Sequence, residues 1–277
     1  MSKYRHEYHA GNFADVHKHV TLSALLQALE RKDKGFLYLE THAGRGAYDL
    51  RRFPEGAVRA AAIARVLAGA PDSPELAAYA ASVAAWRTAS GNPAAYPGSP
   101  VIAATQLRAQ DRAVLIEMLP AEAAALGRAL PSRSRAHIVQ ADGFEGLRAF
   151  LPPPERRGLT LIDPPYERTQ EDFARVELAL QEVLRRFQTG SVAAWYPIKD
   201  ARDTDRWLAG LHARLSRPML LGELWIHPRD SRVALNGSGM LILNAPYRLA
   251  ERMKDWLPRL HLLLDLERAG GASVRVL

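Results

Sequence analysis

One apolar stretch of the sequence ends in residues suited to methylating an amine: the segment 159–162 is followed by Asp163-Pro164-Pro165-Tyr166. Because the lone pair of an adenine exocyclic amine is delocalised into the ring, its attack on a sulfonium methyl group needs acceptors that hold the N–H groups. The Asp163 side chain and the Pro164 carbonyl could be these acceptors, while the proline rings stiffen the loop. Tyr166 offers a face for an extruded base. The alternative is an ordinary Pro-Pro turn.

Glycine residues follow the first apolar strand in a loop suited to contacting a ligand. The segment 40–46 has the sequence ETHAGRG, and glycines allow the backbone to approach a ligand closely. A dinucleotide-binding fingerprint would place a third glycine where this chain has Asp49, which disfavours a dehydrogenase. We expect His42 to contact a cofactor, with a plain loop histidine as the alternative.

Two further acidic residues stand near the ends of later apolar strands. Glu117 follows AVLI, and Asp142 with Gly143 comes just after AHIVQ. A carboxylate at the end of the second strand suits a ribose diol, because it can accept hydrogen bonds from both hydroxyls. The next acid could accept from the adenine amine of a cofactor. Each acid alone could be a helix cap or a turn residue, but their order with the glycine loop and Asp163 favours a nucleoside cofactor.

The first twenty residues mix aromatic, basic and histidine side chains. Histidines occupy positions 6, 9, 17 and 19, but no H-E-x-x-H pattern is present and we predict no metal site. The mixture suits contacts to RNA, with Tyr4, Arg5, His6 and Lys18 as candidate substrate-binding residues. The alternative is a solvated polar segment that leads into the first helix.

The charge of the chain favours a polyanionic partner. The formal net charge is +7 and the isoelectric point is about 9.8, and such a surface gains affinity by displacing counterions from phosphates. Arginines are frequent in the middle of the chain, at positions 128, 133, 135, 148, 156, 157 and 168. If several share the rim around Asp163 they form a phosphate track, and if they are scattered they mainly keep the protein soluble.

Apolar segments alternate with helical patterns, and this order predicts how the candidate residues are positioned. Apolar spacing predicts an amphipathic helix over 14–32. Seven segments have the character of strands: 36–40, 113–117, 136–140, 159–163, 192–196, 220–226 and 240–244. The alternation predicts an α/β fold with a seven-stranded, mostly parallel, doubly wound sheet, whose ligand site lies at the carboxyl ends of the strands.

The alanine-rich region before residue 95 interrupts this alternation. It contains PDSP at 71–74, which predicts two or more inserted helices. We therefore predict a single domain over 1–277 with a small helical insertion at 50–95. Beyond it, Ser99 precedes Pro100, which predicts a helix with Ser99 as its N-cap.

Composition excludes several classes of protein. The 277-residue chain contains no cysteine, so disulfides, thiolate metal sites and cysteine nucleophiles are excluded. No uncharged apolar run approaches the roughly 18 to 20 residues needed to cross a bilayer, and the N-terminal segment lacks a signal-peptide pattern. We expect a cytoplasmic protein without a membrane partner.

Taken together, these motifs resemble the bacterial family that methylates N6 of adenine 2030 in 23S ribosomal RNA. The shared motifs extend over nearly the whole chain. They are YRH at 4–6, HAGN at 9–12, ADV at 14–16, KH at 18–19, THAG at 41–44, YPGSP at 96–100, ADG at 141–143, DPPY at 163–166, WYP at 195–197 and SGM at 238–240.

The resemblance implies a Rossmann-like methyltransferase fold, S-adenosylmethionine as cofactor and 23S rRNA as substrate. It implies a cofactor-binding set made of His19, His42, Ser99, Glu117, Asp142, Gly143 and Asp163. Asp163, Pro164 and Tyr166 would then form the catalytic group, with Tyr4 as a contact to the RNA. The substrate would be protein-free rRNA or an early assembly intermediate, and the enzyme a monomer.

The chain departs from the expected pattern at Phe13 and His17, and its first strand ends in Glu40 rather than aspartate. None of these departures removes a group that the chemistry needs.

Two alternatives stay open: a DNA N6-adenine methyltransferase with the same Asp-Pro-Pro-Tyr signature, and a non-catalytic RNA-binding protein on the same fold. The small size of the insert at 50–95 favours RNA over DNA.

Overall fold

The computed structural model describes residues 10–70, 73–132, 134–231 and 233–277. Within them, the strands are β1 (Leu37–Glu40), β2 (Ala47–Asp49), β3 (Ala95–Pro97), β4 (Arg112–Ile116), β5 (Ala136–Val139), β6 (Gly158–Ile162), β7 (Ser191–Ile198), β8 (Met219–Trp225), β9 (Gly237–Leu243) and β10 (Gly271–Val276). The helices are α1 (Phe13–Glu30), α2 (Gly56–Gly69), α3 (Pro74–Ser90), α4 (Ser99–Gln106), α5 (Pro120–Ala129), α6 (Gly143–Gly146), α7 (Thr169–Arg186), α8 (Ala201–Leu215) and α9 (Leu249–Leu264).

The main sheet contains eight strands in the order β10-β8-β9-β7-β6-β1-β4-β5. Strands β7, β6, β1, β4 and β5 are parallel to one another, and β9 pairs antiparallel with both β7 and β8. The predicted mostly parallel α/β sheet is therefore confirmed, and each of the seven predicted strands is present within a few residues of its expected bounds.

The predicted number of seven strands was wrong by one. The missed strand, β10, pairs antiparallel with β8 at the edge of the sheet. Its sequence, GASVRV, has no apolar run, because an edge strand that is only partly buried does not need one. A separate two-stranded ribbon, β2 with β3, also lies outside the prediction.

Helices cover both faces of the main sheet. Apolar side chains of α1 to α5 and α9 contribute to the core on one face, and those of α6 to α8 to the core on the other. The two central strands β1 and β6 are buried along their whole length, as expected for parallel strands covered on both faces.

Helix α1 is more buried than an amphipathic surface helix. Asn12 caps its start by accepting a hydrogen bond from the Asp15 backbone N–H, 2.9 Å away. Every residue from Ala14 to Leu26 is buried, because α3, α4, α9 and β9 pack around the helix. Burial extends to its charged and histidine side chains, which therefore need partners inside the protein.

Two helices, α2 and α3, lie within the region 50–95. α2 packs against α9, and α3 packs against α1. The division of the chain into one domain with an insertion remains a prediction.

In the next helix, α4, the expected N-cap role of Ser99 was wrong. Gly98 holds the cap position, while the Ser99 hydroxyl donates to Glu40 instead.

Candidate functional site

Three acidic residues meet at one edge of the sheet. Glu40 ends β1, Glu117 follows β4, and Asp163 follows β6. Strand β1 lies between β4 and β6, and its Glu40 is level with Leu115 on one side and Leu161 on the other. The parallel arrangement thus brings the carboxyl ends of three strands together, which is the expected place for a ligand in a doubly wound sheet.

Asp163 is paired with a lysine from the first helix. Lys18 Nζ lies 2.5 Å from Asp163 Oδ2 and 2.7 Å from Asp15 Oδ1, and all three side chains are buried. Burial lowers the pKa of Lys18, but the two carboxylates outweigh this effect and hold the pKa above the usual lysine value. Lys18 therefore contributes a full positive charge between the two carboxylates. The sequence predicted Lys18 as a substrate contact and gave no role to Asp15.

Glu40 forms a second buried cluster beside the first. Its carboxylate accepts hydrogen bonds from Ser99 Oγ at 2.5 Å and from Tyr38 Oη at 2.9 Å. Burial raises the pKa of Glu40 to about 8, although both hydrogen bonds and the Lys18 charge act in the opposite direction. Sequence reasoning noted Glu40 only as a departure from aspartate, although its position at the end of the first strand was the available signal.

The loop after β1 packs closely on the start of α6. A Cβ atom at Gly143 would lie only 1.7 Å from the Thr41 carbonyl oxygen, so glycine is required there. His42 Nδ1 lies 2.8 Å from Thr41 Oγ1, and its ring meets Phe144 edge-on at 4.7 Å. Burial lowers the pKa of His42 to about 4, which keeps this imidazole neutral at pH 7.

Glu117 binds the same loop from the other side. Its Oε2 accepts from the Gly44 backbone N–H at 2.9 Å, and its Oε1 accepts from the Leu119 N–H at 2.7 Å. Gly44 has a φ of +63°, a conformation that favours glycine. Burial raises the pKa of Glu117. Each carboxylate oxygen retains a further lone pair that can accept from a ligand hydroxyl.

Asp142 caps a helix and also pairs with an arginine. Its Oδ1 accepts from the Phe144 N–H at 2.9 Å, and its Oδ2 accepts from Arg175 Nη2 at 2.7 Å. Partial burial raises the pKa of Asp142, but Arg175 and the backbone donors outweigh it, and the pKa lies below the usual aspartate value. The Arg175 guanidinium also lies 4.3 Å from the Phe144 ring centre. Sequence reasoning missed Arg175, because α7 brings it to the site from a distant part of the chain.

Tyr166 is held inside the protein rather than presented to a base. The side chain is only 3% exposed, and its hydroxyl donates to the Trp195 carbonyl at 2.7 Å. Its ring meets Phe173 and Trp195 edge-on. With a φ of +50°, Tyr166 also adopts a backbone conformation that is costly for a residue with a side chain. Stacking of a base on this ring stays a prediction, and it would require the loop to rearrange.

Ser238 joins the first helix to the strand that supports Tyr166. Its Oγ lies 2.9 Å from His17 Nδ1 and accepts from Trp195 Nε1, also at 2.9 Å. His17 is fully buried, and burial lowers its pKa to about 3. The His17 departure noted in the sequence thus has a structural role, and the SGM and WYP motifs meet at this point.

His19 contacts a buried tyrosine, Tyr96, and lies near the Asp15 carboxylate. Its Nδ1 is 2.9 Å from Tyr96 Oη, the two rings stack at 5.6 Å, and its Nε2 lies 3.8 Å from Asp15 Oδ1. The Tyr96 hydroxyl in turn accepts from Tyr79 Oη at 3.3 Å. Because His19 is fully buried, its predicted contact with the cofactor would be made from within this network.

Other predicted residues do not converge on Asp163. Tyr4, Arg5 and His6 lie outside the described residues. Arg133 also lies outside the described residues. Two other middle arginines have separate partners: Arg157 donates to backbone carbonyls before β1, and Arg148 pairs with Glu145. No histidine or acidic cluster suited to a metal ion occurs in the described parts of the chain. None of the helices seen there has the length and apolar character needed to cross a membrane.

Comparison with known proteins gives consistent matches over almost the full chain. The family described as "Ribosomal RNA large subunit methyltransferase D, RlmJ" matches residues 33–277. A protein of Escherichia coli (strain K12), named "Ribosomal RNA large subunit methyltransferase J", is 41% identical over 99% of this chain and 98% of its own length. A protein of Haemophilus influenzae with the same name is 38% identical over the same shares of both chains.

A solved structure agrees with the fold as a whole. The crystal structure of protein LPL1258 from Legionella pneumophila has a TM-score of 0.83 and 35% identity to this chain, and it covers 97% of this chain and 98% of its own. The sheet order and the cluster of acidic residues at one edge are consistent with the family that these full-length matches indicate. This chain is a member of the RlmJ family of ribosomal RNA large subunit methyltransferases.

Proposed function

We propose that this protein transfers a methyl group from S-adenosylmethionine to N6 of a specific adenine in 23S rRNA of the large ribosomal subunit. The observation that carries the proposal is the position of Asp163. Its buried carboxylate stands after β6 and is bound by Lys18 through Oδ2. The names of the relatives support ribosomal RNA as the substrate, with cytoplasmic action as the corollary.

The residues at the edge of the sheet fit S-adenosylmethionine. Glu117 could accept hydrogen bonds from both ribose hydroxyls with the lone pairs that the Gly44 and Leu119 amides leave. Asp142 and Gly143, which follow the next strand, would contact the adenine of the cofactor. Bound S-adenosylmethionine would supply a methyl group on a positively charged sulfur.

The chain's own residues would orient the amine of the target adenine. Asp163 would accept one N–H and the Pro164 carbonyl the other, so that the nitrogen lone pair points towards the methyl group. Lys18 fixes the orientation of the Asp163 carboxylate by its hydrogen bond to Oδ2. His42, neutral because its pKa lies near 4, adds no positive charge beside the sulfonium.

RNA recognition would involve residues that the structure does not describe. We propose Tyr4, Arg5 and His6 as substrate contacts, because they combine aromatic and basic character in the stretch of sequence that precedes α1. We further propose that the protein acts as a monomer, on protein-free rRNA or an early assembly intermediate, with no metal ion.

A methyl-transfer assay tests this function directly. The protein is incubated with methyl-labelled cofactor and either protein-free 23S rRNA or duplex DNA, and the modified nucleoside is identified by mass spectrometry. We expect N6-methyladenine at one position of the RNA and no transfer to DNA. Transfer to DNA would support the DNA methyltransferase, whereas tight cofactor binding without transfer to either would support a non-catalytic RNA-binding protein.

A further inference from the structure

A cavity of about 570 Å³ lies beside the candidate site, on the α5 side of the loop after β1. The β2–β3 ribbon and the C-terminal halves of α3 and α5 line it, and it is open to solvent. One end is formed by Arg45, which directly follows Gly44, the residue bound by Glu117. The cavity therefore begins where the candidate cofactor site ends. Its volume lies within the usual range of ligand pockets.

Positive charge dominates the rim of this cavity. Arg45, Arg52 and Arg128 line it. Arg52 and Arg128 are exposed, and neither forms an ion pair with any other residue that the structure describes. Two guanidinium groups without carboxylate partners at one cavity favour an anionic ligand whose oxygens accept paired N–H hydrogen bonds, such as a phosphate.

The acidic groups nearby are already engaged. Asp49 is the carboxylate among the lining residues, and Arg51 binds both of its oxygens, at 3.0 and 2.7 Å. This pairing lowers the pKa of Asp49 to about 2. Glu122 lies 3.3 Å from Arg45 Nε and reduces the contribution of that one arginine. The net charge that faces a ligand therefore comes mainly from Arg52 and Arg128.

Aromatic side chains form the inner wall. Tyr48, Phe53 and Trp86 line the cavity, with Phe53 and Trp86 partly exposed. The Trp86 indole Nε1 is shielded from solvent and has no hydrogen-bond partner among the described residues. Flat rings next to guanidinium groups are the combination with which proteins hold single-stranded nucleic acid.

We propose that this cavity binds an unpaired nucleotide of the RNA substrate that neighbours the target adenosine. Arg52 and Arg128 hold its phosphate, and its base lies against Phe53 and Trp86. The proposal rests on the proposed function. The cavity begins at Arg45 in the loop after β1, and β1 pairs with β6, the strand that ends just before Asp163. The same combination on a protein partner would require an acidic, aromatic segment, and the enzyme's RNA substrate already supplies both groups.

The charge prediction is tested with the double variant R52Q/R128Q. Its Kd for a 23S rRNA fragment containing the target adenine should rise about tenfold at moderate salt. The slope of log Kd against log salt concentration should fall by about 0.7, because the two arginines hold one phosphate and each phosphate contact on a single strand contributes about 0.7. The Kd for S-adenosylmethionine should not change.

A matched control removes two arginines from the opposite face of the sheet. R185Q/R206Q lowers the net charge equally, on α7 and α8, and both side chains are exposed. If the two double variants weaken RNA binding and reduce the salt slope equally, the cavity holds no phosphate and the proposal is overturned. Failure of the wild-type protein to methylate the fragment would instead overturn the proposed function, because RNA binding is measured separately from methyl transfer.

Crosslinking tests the position of the base. A fragment with 4-thiouridine next to the target adenine is irradiated with the wild-type protein, and the crosslinked peptides are identified by mass spectrometry. We expect crosslinks within residues 45–53 or at Trp86, and their loss with W86L and F53L together. Crosslinks confined to other parts of the chain would show that the neighbouring nucleotide follows another path.

Discussion

Lys18 Nζ on the first helix lies 2.5 Å from Asp163 Oδ2 at the end of β6, across 145 residues of sequence. The pair places a buried positive charge beside the carboxylate that we propose as the acceptor for the target amine. An incoming amine therefore meets an aspartate whose side chain is already held in position by the lysine. Asp15 is the second carboxylate that Lys18 binds, at 2.7 Å from Nζ.

Replacement of Asp163 should remove methyl transfer while the protein stays folded. We expect Asp163→Ala to lower kcat at least about a hundredfold, because the target amine loses a preorganised acceptor in a buried site. The control Asp255→Ala, an exposed carboxylate on α9, should leave the rate unchanged. Single-turnover methylation of 23S rRNA measures both. A rate within threefold of the wild-type rate for Asp163→Ala would remove its assigned role.

Replacement of Lys18 should destabilise the protein. Lys18→Met leaves Asp15 and Asp163 buried without their shared cation, a change that typically costs about 3–5 kcal/mol in the free energy of unfolding. Urea denaturation followed by circular dichroism measures this loss. The double variant Lys18→Met/Asp163→Asn should recover part of the stability without recovering activity. A Lys18→Met protein as stable as the wild type would mean that the ion pair contributes little to folding.

Glu117 provides a test of cofactor binding that is separate from chemistry. Glu117→Gln should raise the Kd for S-adenosylmethionine about tenfold to a hundredfold, because a charge-assisted hydrogen bond contributes about 1.5 to 3 kcal/mol. RNA affinity should stay the same. Titration calorimetry measures the cofactor, with Glu145→Gln as an exposed control. An unchanged Kd would assign Glu117 only to holding the Gly44 amide.

Tyr166 distinguishes an aromatic role from a hydroxyl role. Under the stacking hypothesis Tyr166→Phe remains active and Tyr166→Ala loses most of its rate, because the base requires a ring and not a phenol. The hydroxyl, however, donates to the Trp195 carbonyl. A Phe variant as slow as the Ala variant would show that this hydrogen bond, rather than stacking, is what catalysis requires.

Glu40 should make stability depend on pH. Its pKa is raised to about 8 in the folded protein, so between about pH 4.5 and 8 the folded state binds more protons than the unfolded state. The free energy of unfolding should therefore fall as pH rises through this window, by at most about 1.4 kcal/mol per pH unit from this group. Urea denaturation across this range should show a smaller decrease for Glu40→Gln. An equal decrease in both proteins would exclude Glu40 as the source.

The sequence alone determined in which order the strands and the candidate functional residues follow one another along the chain. Seven strands, the acids at their ends and the glycine loop follow from local patterns, since a buried parallel strand requires an apolar run and a close approach requires glycine. These signals sufficed to predict the class of fold and to select Glu117, Asp142 and Asp163 as candidates.

Only the tertiary structure decided which of these groups have partners. Elements distant in sequence are joined by the pairing of Lys18 with Asp163 and by the Ser99 hydrogen bond to Glu40. The burial of Tyr166 likewise depends on elements that pack around it. No local pattern encodes such contacts, because they depend on how helices and strands pack across the sheet. The same reason explains the missed edge strand β10, whose residues form a strand only because β8 offers them backbone partners.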